Sequence, residues 1–200
     1  EEIQNTEICS MIKKKNRDSL LKNSYNGELR IFNIKTKKFE KINYSDNNTY
    51  RYEIRARYLM ETDKGDVFMS TETKNFCILN YLNGSFTTFP QFLEISSASR
   101  HFNVEGNYLW VATDNGLIQA DKINKKIIKV WTKKDGISNN YIYSILLDRN
   151  NILWVATNFG LNSINLNSNV VKKITDLSRL QSLEFNTAAA LKDNEDNLWF

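Results

Sequence analysis

The sequence is poor in the residues that most often mark special chemistry. Its 200 residues contain one Pro, seven Gly, two Cys and one His. A single imidazole and two cysteines without Cys-x-x-Cys spacing argue against a zinc site, so the sequence predicts no metal and no cofactor. Cys9 and Cys77 lie in apolar stretches, which favours buried free thiols.

Long apolar runs and a strong charge of one sign are also missing. No stretch reaches the roughly 18 apolar residues that a membrane helix needs. The N-terminal EEIQNTEICSMIKKK does not have the pattern of a secretory leader, so we expect any targeting segment to lie outside this chain. The 27 Lys and Arg against 23 Asp and Glu give a net charge of only +4, and the basic pairs are dispersed. We therefore expect no contact with nucleic acid.

Asn is the residue in surplus. The chain contains 27 Asn, mostly in short polar clusters between apolar runs, and 41% of its residues are hydrophobic. Asn favours turns because its short side chain can hydrogen-bond to the nearby backbone. The composition therefore predicts a folded protein with many turns rather than a disordered chain.

One segment returns at a fixed distance along the chain. The string LWVATDNGL at 109–117 recurs as LWVATNFGL at 153–161, a shift of 44, and a third copy begins around Trp199. Weaker copies precede them at 67–71 and 20–27. A second landmark, an Asn or Asp that closes an apolar strand, has the same rhythm at Asn33, Asn80, Asp121 and Asn165. Landmarks in phase indicate an internal repeat of about 44 residues.

Each repeat predicts four short strands. In the clearest copy these are 141–147, 152–157, 161–165 and 170–174, with polar turns between them. Alternation of apolar and polar residues, as at 161–165, is typical of a half-buried strand. The unit is predicted to be a four-stranded antiparallel meander. All seven Gly fall in predicted turns, where a positive φ is useful.

A four-stranded repeat of this length is typical of a β-propeller blade. Helical repeats would need a 3.6-residue periodicity that the sequence lacks, and leucine-rich repeats are shorter. Because propellers close at four to eight blades, about 4.5 blades predict an incomplete propeller that is part of a larger one. The fold class is predicted to be all-β, with approximate repeats at 1–44, 45–89, 90–132, 133–175 and, in part, 176–200.

Residues 135–174, DGISNNYIYSILLDRNNILWVATNFGLNSINLNSNVVKKI, resemble the two-component regulator propeller repeat. That pattern runs from Gly-Leu and a small or polar pair through a strand ending in Asp to Leu-Trp, Thr and a second Gly-Leu followed by Asn or Asp. The match is good here, moderate at 89–134 and loose at 1–88, where Phe68 and Leu21 replace Trp. The resemblance implies a seven-bladed propeller.

The resemblance also implies a function. In this family the propellers form the extracytoplasmic, periplasmic sensor of hybrid two-component histidine kinases, many of which bind oligosaccharides and regulate transcription. It implies a homodimer through the full-length sensor, a membrane helix outside this chain, and no catalysis by the chain itself. Two alternatives stay open: a propeller scaffold for protein partners or dimerisation without a small ligand, and a glycan lyase or hydrolase.

Ligand contacts are predicted where the connections between blades meet the turns between second and third strands. The connections at 44–53, 89–99 and 132–141 are rich in Asn, Ser, Tyr and Arg, which offer hydrogen bonds and aromatic faces to a sugar. Clustered arginines would suit an anionic sugar through bidentate contacts. The candidate ligand-binding residues are Arg51, Tyr52, Arg55, Arg57, Arg100, His101, Asn115, Asn140, Tyr141, Asn158 and Phe159.

No catalytic residue is predicted. His101 has no Ser or Cys nucleophile at a motif spacing, so a packed or surface histidine is the simpler interpretation. Carboxylates for glycoside hydrolysis could converge in space, but they occupy unmatched positions of the repeat. These carboxylates are Glu53, Glu61, Glu94 and Glu105.

The repeated Trp is interpreted as packing rather than as a platform for sugars. Trp110, Trp154 and Trp199 lie at one position of the repeat between apolar neighbours, as expected for a wedge between blades. Trp131 ends an outer strand just before a polar connection. We therefore expect Trp131 to be partly exposed.

Overall fold

The computed structural model describes most of the chain. The described residues are 8–13, 19–24, 29–42, 56–62, 65–73, 75–80, 84–96, 98–187 and 189–200. The chain divides into two compact units, Glu1–Pro90 and Gln91–Phe200.

The first unit contains two four-stranded antiparallel sheets. In each sheet the strands pair in chain order, so that each sheet is a meander. The strands are β1 (Ile8–Lys13), β2 (Ser19–Ser24), β3 (Leu29–Asn33) and β4 (Lys38–Lys41), then β5 (Ala56–Glu61), β6 (Val67–Thr71), β7 (Phe76–Asn80) and β8 (Ser85–Thr88).

The second unit contains two further meanders and a two-stranded pair. The strands predicted in the clearest repeat are confirmed to within one residue, and so is the antiparallel meander. The repeat boundaries stay a prediction. The strands are β9 (Ser99–Glu105), β10 (Tyr108–Thr113), β11 (Gly116–Asp121) and β12 (Lys126–Trp131), then β13 (Ile142–Leu147), β14 (Ile152–Thr157), β15 (Gly160–Asn165) and β16 (Val170–Ile174), and last β17 (Leu191–Lys192) and β18 (Leu198–Trp199).

In the described part of the chain, the helical segments are short: α1 (Pro90–Leu93) and a single 3-10 turn at Lys133–Asp135. Thr132 and Asp135 form a reciprocal capping box around the 3-10 turn, and Gly136 ends it with φ 102°. Among the described residues no helix is long and apolar enough to cross a membrane.

The core of the second unit combines side chains from both of its four-stranded sheets. Leu153 and Val155 of β14 are fully buried, as the two-residue period of a strand requires. They join a cluster that includes Ile142, Ile145 and Leu117. Each such side chain stabilises the fold by about 1.5–3 kcal/mol through burial.

The core of the first unit is built in the same way from the inner faces of its sheets. Leu21, Val67 and Leu79 are fully buried in one cluster. The Cys77 thiol belongs to this cluster and is free, and its burial raises its pKa to about 12. The buried thiol predicted at Cys77 is therefore confirmed, whereas the side chain of Cys9 lies outside what the structure describes.

The four tryptophans differ in how deeply their side chains are buried. Trp110 is 2% exposed and belongs to the core cluster shared by the two sheets of the second unit, which confirms its predicted packing role. The prediction for Trp131 is wrong: it is 2% exposed, because its ring packs 6.4 Å from that of Trp110. Trp154 is half-buried. Trp199 is 60% exposed, since β18 pairs only with β17 among the described strands.

Asn and Asp close the third strands by capping the turn that follows. The side-chain oxygens of Asn33, Asp121 and Asn165 each accept two backbone N–H bonds from the residues two and three positions later. Such bonds imitate a backbone turn. The residue four positions after each closing side chain has a positive φ: Lys37, Gly84, Lys125 and Asn169 follow Asn33, Asn80, Asp121 and Asn165. The Asn surplus is in part this turn chemistry.

Gly116 and Gly160 begin the third strands where two backbones approach closely. Their φ values are +124° and +88°. A Cβ atom would lie 2.8 Å from the Trp131 carbonyl oxygen at Gly116 and 2.6 Å from the Ile174 carbonyl oxygen at Gly160. Both contacts are too short for a methyl group, so glycine is required by sterics as well as by φ.

We expect Gly160→Ala to lower the free energy of unfolding by about 3 kcal/mol, because a left-handed conformation and an overlap with a carbonyl add together. Gly106→Ala is the matched control, since Gly106 has φ +55° and nothing within 4 Å of an added Cβ. Its expected cost is about 1 kcal/mol. Urea unfolding measures both, and equal losses would contradict the close approach.

Asp148 joins the first turn of its sheet to the repeated Trp. Its Oδ1 accepts from the N–H groups of Asn150 and Ile152, and its Oδ2 accepts from Trp154 Nε1 at 3.0 Å. Asp193 repeats this arrangement with Trp199. Burial raises the pKa of Asp148, but the hydrogen bonds from Trp154 and the turn outweigh it and hold the pKa below 3.8.

We expect Asp148→Asn to lower the free energy of unfolding by about 1 kcal/mol at pH 7. In the variant the Asn amide N–H faces one of the three N–H groups that donate to the carboxylate. A carboxylate with a lowered pKa contributes stability above its unfolded pKa and loses it as the pH falls through the folded pKa. The difference between the wild type and the variant should therefore shrink below about pH 4. Urea unfolding at pH 7 and pH 3 tests this, with Asp176→Asn as a turn carboxylate that lacks a Trp partner. A pH-independent difference would refute it.

Candidate functional site

A group of polar and aromatic side chains lies at one end of the second unit, where β9 and β13 begin. We call it the tyrosine cluster, and its members are Arg100, Tyr141, Tyr143, Asn158 and Glu184. The Tyr141 and Tyr143 rings meet edge to face, with centroids 5.0 Å apart. Asn158 and Glu184 are exposed, so the cluster is open to solvent on their side.

Arg100 lies beneath Tyr141. Arg100 is 5% exposed, and its guanidinium carbon is 4.0 Å from the centroid of the Tyr141 ring. Arg100 Nη2 also donates a hydrogen bond to the Tyr141 hydroxyl. A cation over an aromatic face is attracted by the ring quadrupole. The arginine therefore orients Tyr141, and its charge is covered rather than presented.

Tyr143 lies between an amide and a carboxylate. Its hydroxyl is 3.1 Å from Asn158 Oδ1 and 3.3 Å from Glu184 Oε1, and its single proton can be donated to one of them at a time. Burial raises the pKa of Tyr143, and the negative charge of Glu184 raises it further. The hydroxyl is therefore a donor throughout the neutral pH range.

A β-bulge directs one of these side chains. The pairing of β13 with β14 shifts register between Ile142 and Ser144, which leaves Tyr143 as the extra residue. A bulge turns its extra residue out of the regular alternation. The first strand of each four-stranded sheet has a bulge at the same place, and the extra residues are Cys9, Arg57, Arg100 and Tyr143.

The connection between β12 and β13 is fixed by hydrogen bonds of its own. The Tyr141 N–H donates to Asn139 Oδ1, and the Tyr141 carbonyl accepts from the Asn158 N–H at 3.0 Å. Beneath them, Asn162 Nδ2 donates to Ser138 Oγ, and Ser138 Oγ is 2.9 Å from Thr157 Oγ1. This network is buried and fully hydrogen-bonded, so it holds the connection rigidly.

The following connection is anchored in the same manner. The Gly160 N–H donates to the Leu183 carbonyl at 2.6 Å, as the Gly116 N–H donates to the Asn140 carbonyl at 2.8 Å. The residues next in the chain are Glu184 and Tyr141. Both are members of the cluster, so each anchored carbonyl positions one cluster side chain.

A surface pocket adjoins Glu184. Its volume is about 380 Å³, and its lining includes Leu161, Arg179, Gln181, Phe185 and Glu184 itself. That volume is at the small end of the range for ligand pockets. Polar groups beside an aromatic ring suit a small polyhydroxylated ligand.

Several of the predicted residues come together here, and others do not. Arg100, Tyr141 and Asn158 belong to the cluster, and Phe159 follows Asn158 with 50% of its surface exposed. Asn140 is used within the fold, because its Oδ1 accepts from the Lys133 N–H.

Two further predicted residues are engaged within the fold. The Asn115 amide donates to the Ile95 carbonyl. His101 is 1% exposed, which agrees with a packed imidazole and removes it from the surface, and burial lowers its pKa to about 3.

The arginines predicted to bind an anion are only partly described. Arg51, Tyr52 and Arg55 lie outside the described residues. Arg57 is half-buried and forms an ion pair with Glu72 at 2.9 Å. Arg57 and Arg100 are thus both engaged within their own units, and binding of an anionic sugar through arginines stays a prediction.

Sequence reasoning missed Tyr143 and Glu184. Tyr143 lies within the predicted strand 141–147, but its orientation follows from the bulge, which has no sequence motif of its own. Glu184 carries no sequence signal, because its position follows only from the Leu183 anchor. Among the described residues no group of three His, Cys, Asp or Glu is arranged to hold a metal ion.

Comparison with known proteins agrees with the repeat analysis. Residues 136–159 match the model of the two-component regulator propeller family. This segment covers the Gly136 cap, Tyr141, Tyr143 and Asn158. No curated protein matches the chain as a whole.

Solved structures share the fold at low sequence identity. The extracellular domain of the hybrid two-component system BT3049 from B. thetaiotaomicron superposes with a TM-score of 0.79 at 17% identity over 96% of this chain and 26% of its own. That of BT4673 from the same organism gives 0.74 at 16% identity over 98% and 28%. The WD40 repeats of RRP9 give 0.66 at 5% identity over 86% and 52%.

These similarities establish the fold of the chain. The chain spans about a quarter of the length of the two extracellular domains that it matches. Its four meanders correspond to propeller blades, and one blade contains the family repeat. The chain is therefore a partial β-propeller whose residues 136–159 match the two-component regulator propeller repeat.

Proposed function

We propose that this chain is part of the extracytoplasmic, periplasmic sensor of a hybrid two-component histidine kinase, and that it binds an oligosaccharide. The observation that carries the sensor role is the family repeat at 136–159 together with the fold shared with two extracellular domains of such systems. The kinase lies elsewhere in the full protein. The sensor acts as a homodimer that passes a ligand-dependent rearrangement to that kinase and so to transcription.

The tyrosine cluster supports a sugar as the ligand. Two aromatic rings, an exposed amide and an exposed carboxylate stand beside a pocket of about 380 Å³. Aromatic faces contact the apolar faces of sugar rings, and amide and carboxylate oxygens accept hydrogen bonds from hydroxyl groups. The anchored connections hold these groups in place before a ligand arrives, which lowers the entropic cost of binding.

A protein-binding scaffold is the second candidate. On the outer edge of the second unit, Ile123 and Ile128 are 64% and 51% exposed, and Val170 of β16 is 49% exposed. Exposed apolar side chains at the outer strands of two successive sheets suit a protein partner or a dimer contact. Hydrolysis of a glycan has less support, because the tyrosine cluster contains one carboxylate where most glycosidases use two.

The test is a glycan screen on the complete extracellular region that contains this chain. Tyr143→Ala should weaken binding of any positive oligosaccharide by about tenfold or more, because it removes a ring and a hydrogen-bond donor. Tyr108→Ala is the matched control: Tyr108 is 50% exposed and begins β10 near the opposite end of its sheet. Calorimetry measures both variants.

Two outcomes would contradict the proposal. If no oligosaccharide binds while light scattering detects a stable protein complex that Ile128→Asp disrupts, the scaffold is correct. If an oligosaccharide binds and is consumed, the chain is part of an enzyme.

A further inference from the structure

A hydrogen bond between two side chains recurs in the second unit with the same spacing. The bulged Arg100 of β9 donates to Tyr141, 41 residues later, and the bulged Tyr143 of β13 donates to Glu184, also 41 residues later. In each pair the first residue is the extra residue of a bulge. The second follows the carbonyl that a turn glycine anchors. The two pairs thus lie at equivalent positions of successive repeats but consist of different side chains.

The two pairs differ in what they present to solvent. In the Arg100–Tyr141 pair the charge is covered by the ring, so the pair presents an aromatic edge and a hydroxyl. In the Tyr143–Glu184 pair the carboxylate belongs to an exposed residue and competes with Asn158 for the Tyr143 proton. Arg100 keeps its positive charge beneath Tyr141, so the charge that the cluster exposes to solvent is the Glu184 carboxylate.

Negative charge at an exposed site has a direct consequence for ligand choice. A uronic acid or a sulfated sugar placed on the cluster would face the Glu184 carboxylate, and like charges in proximity are disfavoured. Hydroxyl and ammonium groups, in contrast, donate to carboxylate and amide oxygens. Arg179 also lines the neighbouring pocket. The hydrogen bonds from Ser178 lower the pKa of Asp176, and the positive charge of Arg179 lowers it further.

We infer that the Tyr143–Glu184 pair, with Asn158, determines the charge class of the ligand: it selects an uncharged or amino sugar and rejects a uronic or sulfated one at the cluster. This inference rests on the proposed binding of an oligosaccharide. It reverses the expectation of an anionic ligand drawn from the arginines.

The test compares charge classes of sugar on the complete extracellular region. Length-matched uncharged, amino and uronate oligosaccharides are ranked by calorimetry, and uncharged or amino sugars should bind best. Glu184→Gln keeps the shape and removes the charge, so it should weaken amino-sugar binding by about tenfold and reduce the discrimination against uronates. Glu195→Gln is the control, since Glu195 is an exposed carboxylate in the turn before β18.

Two further variants make the outcome decisive. Tyr143→Phe should retain ring contacts and lose the hydroxyl donor, so its effect should be smaller than that of Tyr143→Ala.

If uronates bind best and Arg179→Gln removes that preference, the inference is overturned and Arg179 is the specificity residue. If Tyr143→Ala abolishes binding but Glu184→Gln leaves the ranking unchanged, the proposed function stands and the inference falls. If no sugar of any class binds, both fall.

Discussion

The hydrogen bond from a turn glycine to the next connection holds the second unit together at the end where the tyrosine cluster lies. The Gly116 N–H reaches the Asn140 carbonyl, and the Gly160 N–H reaches the Leu183 carbonyl. Only glycine fits, because a Cβ would collide with the outer strand on the other side. Each bond ties the second turn of one sheet to the chain that leads into the following repeat. Since Tyr141 and Glu184 are the next residues, the same bond that joins repeats also places these two side chains of the tyrosine cluster.

The residues that repeat along the chain are those that build the blade. Thr113 and Thr157 each donate a side-chain hydrogen bond to the carbonyl of the turn glycine three residues later. The closing Asn and Asp cap the third turn, and the Asp of the first turn accepts a hydrogen bond from the Trp that follows it by six residues. These hydrogen bonds join residues that are a few positions apart. The bulge and the anchored connection, whose residues change from repeat to repeat, supply the side chains of the tyrosine cluster.

This division explains what the sequence could predict. Strand limits, meander order and turn positions follow from periodicity and from Asn and Gly, because their causes are local. Trp131 was misjudged because its burial depends on Trp110 in the same sheet. Tyr143 and Glu184 escaped because their hydrogen bond joins residues 41 apart. A bulge adds one residue to a strand without any motif of its own, so the pattern of apolar residues does not reveal it.

The arginines show why residue type alone does not locate a site. An arginine at the bulge of a first strand lies next to the packed interior, where an uncompensated charge is costly. Arg57 meets that cost with an ion pair to Glu72, and Arg100 with the ring and hydroxyl of Tyr141. Their guanidinium groups are therefore part of the framework. A tyrosine at the same bulge needs no counter-charge, so its partner Glu184 can remain open to solvent as the exposed charge of the cluster.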